Sequence, residues 1–290
     1  MRIQKFIAES GLCSRREAER LVEEGKIFVN RSPAFVGQDI DPEKDTVYCG
    51  GKRIRLKFCN KQYFMFNKPR GVITSMKAQD DRSIVADLIR GIKGRVYPVG
   101  RLDRDSEGLL LLTDDGELAE KLTHPKYSIA KTYRVTVKGE VTQENLRNLR
   151  EGVDIGAGIV TRPAEVVVKK QTPEKTVMHI SISEGKNRQI RKMCESQALD
   201  VLLLKRIAIG EINLGRLAVG AYRPLTQKEL KYLFDTLEID EKQKIVKKPK
   251  DPSKQRAFDR DSHRQNKKRP SKSVYERRFL KQFGNKKSRK

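Results

Sequence analysis

Val99-Gly-Arg-Leu-Asp-Arg-Asp-Ser-Glu-Gly-Leu-Leu-Leu-Leu-Thr-Asp-Asp-Gly116 is the stretch from which the rest of the chain reads outward. An apolar approach, Val96 and Val99, ends at Gly100, and the polar segment 101–108 carries five charges before four consecutive leucines run into Asp114-Asp115-Gly116. Four leucines between turn signals predict a strand buried on both faces. The polar segment is then a loop pinned at both ends by core strands, which is how scaffolds commonly present catalytic groups. Asp103 stands in this loop between Arg101 and Arg104, with Leu102 as an anchor, and flanking guanidinium groups favour its ionised form. A solvated turn beside a core strand would carry similar charges, so spacing alone leaves both readings open.

Outward from this stretch the apolar residues recur at intervals that set secondary structure. Residues 63–66 predict a strand running into the turn Asn67-Lys-Pro-Arg-Gly71, 72–75 a second short strand, and 84–92 a helix on Ile84, Val85, Leu88 and Ile89. Further on, 117–122 predicts a short helix. Residues 131–138 alternate Tyr133, Val135 and Val137 against Thr132, Arg134 and Thr136, a half-buried antiparallel strand. A helix follows at 141–149, strands at 153–155, 164–168 and 176–183, and a helix at 189–198 with Ile190, Met193 and Cys194 inward. A strand at 202–209 and a helix opened by the capping box Thr226-Gln-Lys-Glu229 and running to Leu237 complete the pattern. Short strands with interspersed helices imply an α+β domain over residues 61–237 around a mixed, largely antiparallel sheet.

Residues 1–60 read as a separate small module. Ile3, Phe6 and Ile7 fall at helical spacing, Ser14-Arg-Arg-Glu17 is a capping box, Ala18, Leu21 and Val22 form an apolar stripe, Gly25 stops the helix and 27–29 is a strand. Arg2, Lys5, Arg15, Arg16, Arg20, Lys26 and Arg31 lie outside the apolar pattern. Arg15 and Arg16 fall in a first helical turn, where cations oppose the helix dipole, a placement that suits contact with phosphates. On charge alone a solvated basic face would read the same.

These segments resemble known families. Gly100-Arg-Leu-Asp103 followed by Asp105-Ser-Glu-Gly-Leu-Leu-Leu-Leu-Thr113 resembles the aspartate motif of pseudouridine synthases, in the form of the RsuA/RluB/RluE/RluF group that modifies ribosomal RNA. Lys5-Phe-Ile-Ala-Glu-Ser-Gly11, Cys13-Ser-Arg-Arg-Glu-Ala18 and Glu24-Gly-Lys-Ile-Phe-Val-Asn30 resemble the S4 RNA-binding domain over nearly all of residues 1–57. The resemblance implies that Asp103 is catalytic. It implies that Tyr133, in Lys131-Thr-Tyr133, stacks on the target base, although pattern alone reads it as a core tyrosine. It further implies that Arg191, after Gln189-Ile190, faces the catalytic carboxylate. Arg101, Arg188 and Lys192 complete the expected substrate-binding set, the last two on phosphates, and the seven basic residues of the first module would bind RNA. Within the group, 13–18 and 187–195 are closest to the large-subunit RluF type, whereas 204–215 is nearer the RluB pattern.

Composition agrees with a polyanionic partner. The chain has 290 residues, a formal net charge of +25 and a pI of about 10.0, which implies nucleic-acid binding with strong salt dependence. Between Lys242 and Lys290 there are 20 lysines and arginines against 4 acids, a net +16, with too few apolar residues for a core, so residues 238–290 are expected to form a disordered basic arm. Cys13, Cys49, Cys59 and Cys194 show no CxxC spacing, so no metal site or disulfide framework is expected and a reducing cytoplasm suits them. No apolar run reaches membrane-spanning length. The expected activity is isomerisation of a uridine to pseudouridine in a structured stem-loop of large-subunit (23S) ribosomal RNA by a monomer without cofactor. Small-subunit or transfer RNA are alternative targets. A non-catalytic ribosome-associated RNA binder and a magnesium-dependent nuclease built on Asp103, Asp105, Glu107, Asp114 and Asp115 are the rival classes.

Overall fold

The computed structural model describes residues 1–56, 61–77 and 82–239. Cys59 and all of the expected basic arm except Glu238 and Ile239 lie outside the described residues. At the amino terminus, α1 (Ile3–Glu9) buries Ile3, Phe6 and Ile7. The Ser14 hydroxyl accepts the Glu17 amide and opens α2 (Arg15–Glu23). Only half of the capping box forms, because the Glu17 carboxylate turns to Arg20. Strands β1 (Ile27–Val29), β2 (Ser32–Pro33), β3 (Val47–Cys49) and β4 (Lys52–Ile54) make an antiparallel sheet in the order β2-β1-β3-β4. Ile27, Val29 and Val47 face the two helices and close one small core.

A nine-stranded sheet follows, built from β5 (Tyr63–Lys68), β6 (Tyr97–Val99), β7 (Glu107–Thr113), β8 (Lys131–Lys138), β9 (Glu165–Thr172), β10 (Lys175–Ile182), β11 (Val201–Ile209), β12 (Ile212–Asn213) and β13 (Tyr222–Pro224). Its main path is β13-β5-β7-β11-β8-β10-β9, with β6 on β7 and β12 on β11. Every pairing is antiparallel except β7 with β11. Helices α3 (Val85–Leu88), α4 (Gly116–Thr123), α5 (Gln143–Glu151), α6 (Gln189–Glu195) and α7 (Gln227–Thr236) pack around it. The leucine run is buried on both faces as its sequence predicts. Leu109 and Leu111 join the core beneath α4 and α7, while Leu110 and Leu112 join Phe66, Val72, Val85 and Leu102 on the other face. A third core gathers β8–β10 with α5 and α6. No helix among the described residues is long and apolar enough to cross a membrane.

Three expected elements shrink. The 72–75 strand is a lone parallel bridge, Ile73 to Ile84, and the 84–92 helix reduces to α3. The apolar residues of both segments plug a core with Phe66 and Leu102 instead of extending a regular element. The 153–155 strand is a single bridge, Asp154 to Val160. Ile239 is buried, so the folded part continues past Leu237.

Candidate active site

The loop 100–106 joins β6 to β7 at the end of the buried leucine strand. Gly100 adopts φ +72° and turns the chain out of β6. From there each carbonyl of residues 102–106 meets a donor. The Thr74 hydroxyl donates to Leu102 O at 2.7 Å and accepts the Leu102 amide at 3.2 Å. The Ser106 amide donates to Asp103 O, and the Gly71 amide to Arg104 O at 2.7 Å. Arg191 Nη2 donates to Asp105 O at 3.2 Å, and Lys68 Nζ to Ser106 O at 2.8 Å. The backbone is therefore clamped by groups from three separate segments while the Asp103 side chain, one third exposed, projects from it. The turn 67–71, legible only as a turn, supplies two of the clamps.

Charge around Asp103 comes from the segment before α6. Arg188 Nη1 lies 3.9 Å from Asp103 Oδ2 and 3.8 Å from Asp105 Oδ2. Arg188 sits at the N-cap of α6 in the left-handed region, φ +50°, a conformation that costs a non-glycine residue on the order of 1 kcal/mol and often marks a functional position. The left-handed turn brings Arg188 toward the carboxylate beside Arg191, which binds the loop backbone at Asp105 O and lies within the electrostatic reach of Asp103. Burial lowers the Arg191 pKa, the Arg188 charge adds to this, and Asp105 and Asp103 oppose it; its Nε has no partner. Gln189 locks the approach, donating to Glu184 and accepting the Lys186 amide.

Lys68 has no exposed surface. Its ammonium reaches Pro69 O and Ser106 O, and burial lowers its pKa to about 8 against the pull of Asp103, Asp105 and Glu107, with Arg206 reinforcing the lowering. A lysine at the end of an apolar strand would ordinarily reach solvent, so sequence reasoning passed it over; its place before Pro-Arg-Gly was the available signal. Arg206 is likewise buried, donating from Nε to Leu109 O at 2.7 Å.

Tyr133 is half-buried and packs against two cores, one of which contains Leu102. Its register partner on β11 is Arg206, which in turn pairs with Gly108 of β7. Tyr133 thus stands two strand spacings, about 10 Å, from the strand that leaves the Asp103 loop. Arg101 is exposed. Lys192 lines a depression of about 230 Å³ with Asp154 and Glu195. Arg2, Lys5, Arg15, Arg16, Arg20, Lys26 and Arg31 are all exposed, and the Arg15 guanidinium lies beside Gly116 and near Tyr97. The acids of the opening stretch disperse: Glu107 pairs with Lys205, Asp114 accepts the Gln62 amide, and Asp115 caps α4 and accepts the Tyr63 hydroxyl. Among the described residues no cluster of three or more His, Cys, Asp or Glu side chains is placed to hold a metal.

The sequence pattern described as RNA pseudouridylate synthase matches residues 62–196, and that of the S4 domain residues 1–44. The ribosomal large subunit pseudouridine synthase B of Bacillus subtilis (strain 168) is 42% identical over 238 residues, 80% of this chain and 95% of the relative. The dual-specificity RNA pseudouridine synthase RluF of Escherichia coli (strain K12) is 37% identical over 254 residues, 86% of this chain and 85% of the relative. A crystal structure of a pseudouridylate synthase superposes with a TM-score of 0.57 at 31% identity, covering 80% of this chain and 99% of that one.

Proposed function

The chain belongs to the RsuA/RluB/RluE/RluF family of RNA pseudouridine synthases, and on that premise we propose that it isomerises a uridine of large-subunit ribosomal RNA with Asp103 as the catalytic carboxylate. The observation that carries the assignment is the Asp103 loop itself, its carbonyls from 102 to 106 all engaged and its one-third-exposed carboxylate opposed by Arg188. A group held this way needs little reorganisation at the moment of reaction, which is where positioned charge is most effective.

The reaction breaks the uridine N1–C1′ bond, turns the base and joins C5 to C1′, with the C5 proton leaving and N1 gaining one. No electrons or transferred group enter or leave, so the balance requires no cofactor. Reaching a half-buried carboxylate requires the uridine to leave its stack, at a cost of a few kcal/mol that is smallest in loops and loosened helices. Tyr133 replaces the lost stacking on one face of the base. Asp103 attacks, or stabilises positive charge, at the glycosidic bond. Arg188 orients the carboxylate and Arg191 the loop that bears it, while Arg101 and Lys192 meet the flanking phosphates. Similarity to a synthase named for the large ribosomal subunit supports that target.

The test is primer-extension mapping of pseudouridine in both ribosomal RNAs of a deletion strain carrying either the intact protein or Asp103→Asn. One stop in the large-subunit RNA that is present with the intact protein and absent with the variant is the expected result. Identical maps would overturn Asp103 as the catalytic group, and a lost stop in the small-subunit RNA would overturn the target. Transfer RNA belongs in the same experiment because one relative is named as dual-specificity.

A further inference from the structure

The amino-terminal sheet commits its inner face to its own core and leaves an aromatic outer face. Along β1 the pattern is buried, exposed, buried, with Ile27 and Val29 inward and Phe28 outward. Phe28 is in register with Pro33 on one side and Tyr48 on the other, and Tyr48 with Arg53. Directly opposed residues of antiparallel strands share a face, so one row across the sheet reads Pro33, Phe28, Tyr48, Arg53. Phe28 is 36% exposed, and Phe35, two residues past Pro33, is 65% exposed. Arg53 in this row, and Arg55 two residues on, are exposed. None of the residues in β1 to β4 is acidic, and of the carboxylates in the flanking turns Asp45 is engaged by Asn30 and Glu24 by Lys26. Single exposed apolar residues are ordinary; an aromatic row ending in guanidinium groups has a more specific use.

We propose that this face is a stacking platform for an unpaired segment of the RNA substrate, with bases on Phe28 and Tyr48 and phosphates on Arg53 and Arg55. The inference rests on the reading of the chain as an RNA-modifying enzyme, and charge selects the occupant, since a chain of net +25 has a polyanion as its natural partner. Every base has a π-face, so such contact tolerates sequence variation, and loops and bulges are where RNA offers unstacked bases. The platform is separate from the basic residues of α1 and α2, which belong to the elements packed on the inner face of the sheet.

Two variants of the full chain test it, using a short oligouridine and an RNA duplex of equal length as probes. The chain has no tryptophan, so Phe28→Trp gives a single indole whose fluorescence oligouridine should quench. The double variant Phe28→Ala with Tyr48→Ala should bind oligouridine about tenfold more weakly or worse, with duplex affinity within about twofold and an unchanged thermal midpoint. Unchanged oligouridine affinity, equal losses on both probes, or an indole indifferent to oligouridine would overturn the platform. Sedimentation showing a dimer that the double variant dissociates, with RNA affinity intact, would give the face to a second copy and overturn it too. Pseudouridine formation is scored in the same preparations. Its absence on every RNA defeats the functional reading, whereas its presence alongside unaltered oligouridine binding defeats the platform alone.

Discussion

Burying an ammonium group is costly unless hydrogen bonds and opposite charge compensate it, and Lys68 has both, carbonyls of Pro69 and Ser106 at 3.0 and 2.8 Å and the carboxylates of Asp103, Asp105 and Glu107 nearby. Its pKa is about 8 in the folded chain against about 10.4 in an unfolded one. Between those values the unfolded state holds the proton and the folded state does not, so stability rises with pH across the window. Relative to Lys68→Met, the wild-type unfolding free energy should grow by roughly 3 kcal/mol from pH 8 to 10.5 in urea titrations. A constant difference would mean that the lysine is not desolvated. Over the same range turnover should fall, because a neutral amine no longer attracts the Asp103 loop. At this scale the sequence was partly legible. Asp103 stood out through its motif, while Lys68 did not, since lysine is seldom fully buried. Arg188 and Arg191 were both in view, and the left-handed backbone at Arg188, which no spacing rule anticipates, brings its guanidinium to 3.9 Å from the carboxylate.

Strand β7 divides its second edge between two partners, β11 along Glu107 and Gly108 and β6 along Leu111 to Thr113. The parallel contact brings the backbones so close that a Cβ on Gly108 would stand 2.2 Å from the Arg206 carbonyl oxygen, at φ +108°. Gly108→Ala should therefore destabilise the protein by about 3 kcal/mol or more, whereas Gly71→Ala, at φ +87° with open space around it, should cost about 1 kcal/mol. Equal midpoints in denaturant would refute the close approach. At α7, Arg223 forms a two-pronged pair with Glu229 at 2.8 and 2.7 Å while the Thr226 amide and hydroxyl donate to the same carboxylate. The Arg223 bond leads in lowering the Glu229 pKa to about 2. The stabilisation is present above the unfolded value near 4.3 and is lost as pH falls through about 2. Glu229→Gln should cost about 1–2 kcal/mol at pH 7, discounted for partial exposure, and almost nothing at pH 2. Element bounds were most legible where one pattern dominated, as in β8, which spans Lys131–Lys138 as its alternation predicts although Thr136 is buried with Val135 and Val137. They were least legible at 72–75 and 84–92, where apolar residues fill a core from irregular backbone and no period distinguishes the two uses.

For the whole molecule, charge is the dominant physical property. Residues 242–290 hold +16 of the net +25, and phosphate contacts release counterions in proportion to their number. Deleting these residues should flatten the plot of log affinity against log salt for a ribosomal RNA fragment while leaving the modified position unchanged; an unaltered slope would show that the segment makes no phosphate contacts. The architecture of the two sheets was legible as an α+β pattern, but the sheet order was not, because nothing local in β7 announces a partner on β11. That partnership has a further consequence for synthesis. Leu109 and Arg206 are 97 residues apart and Asp105 and Arg191 are 86 apart, whereas the first module is complete within its opening 54 residues. Chains emerge amino terminus first and domains fold as units. A ribosome making this protein therefore releases the whole amino-terminal module long before the reacting centre can assemble, and a nascent chain arrested short of Arg188 would carry that module without the site.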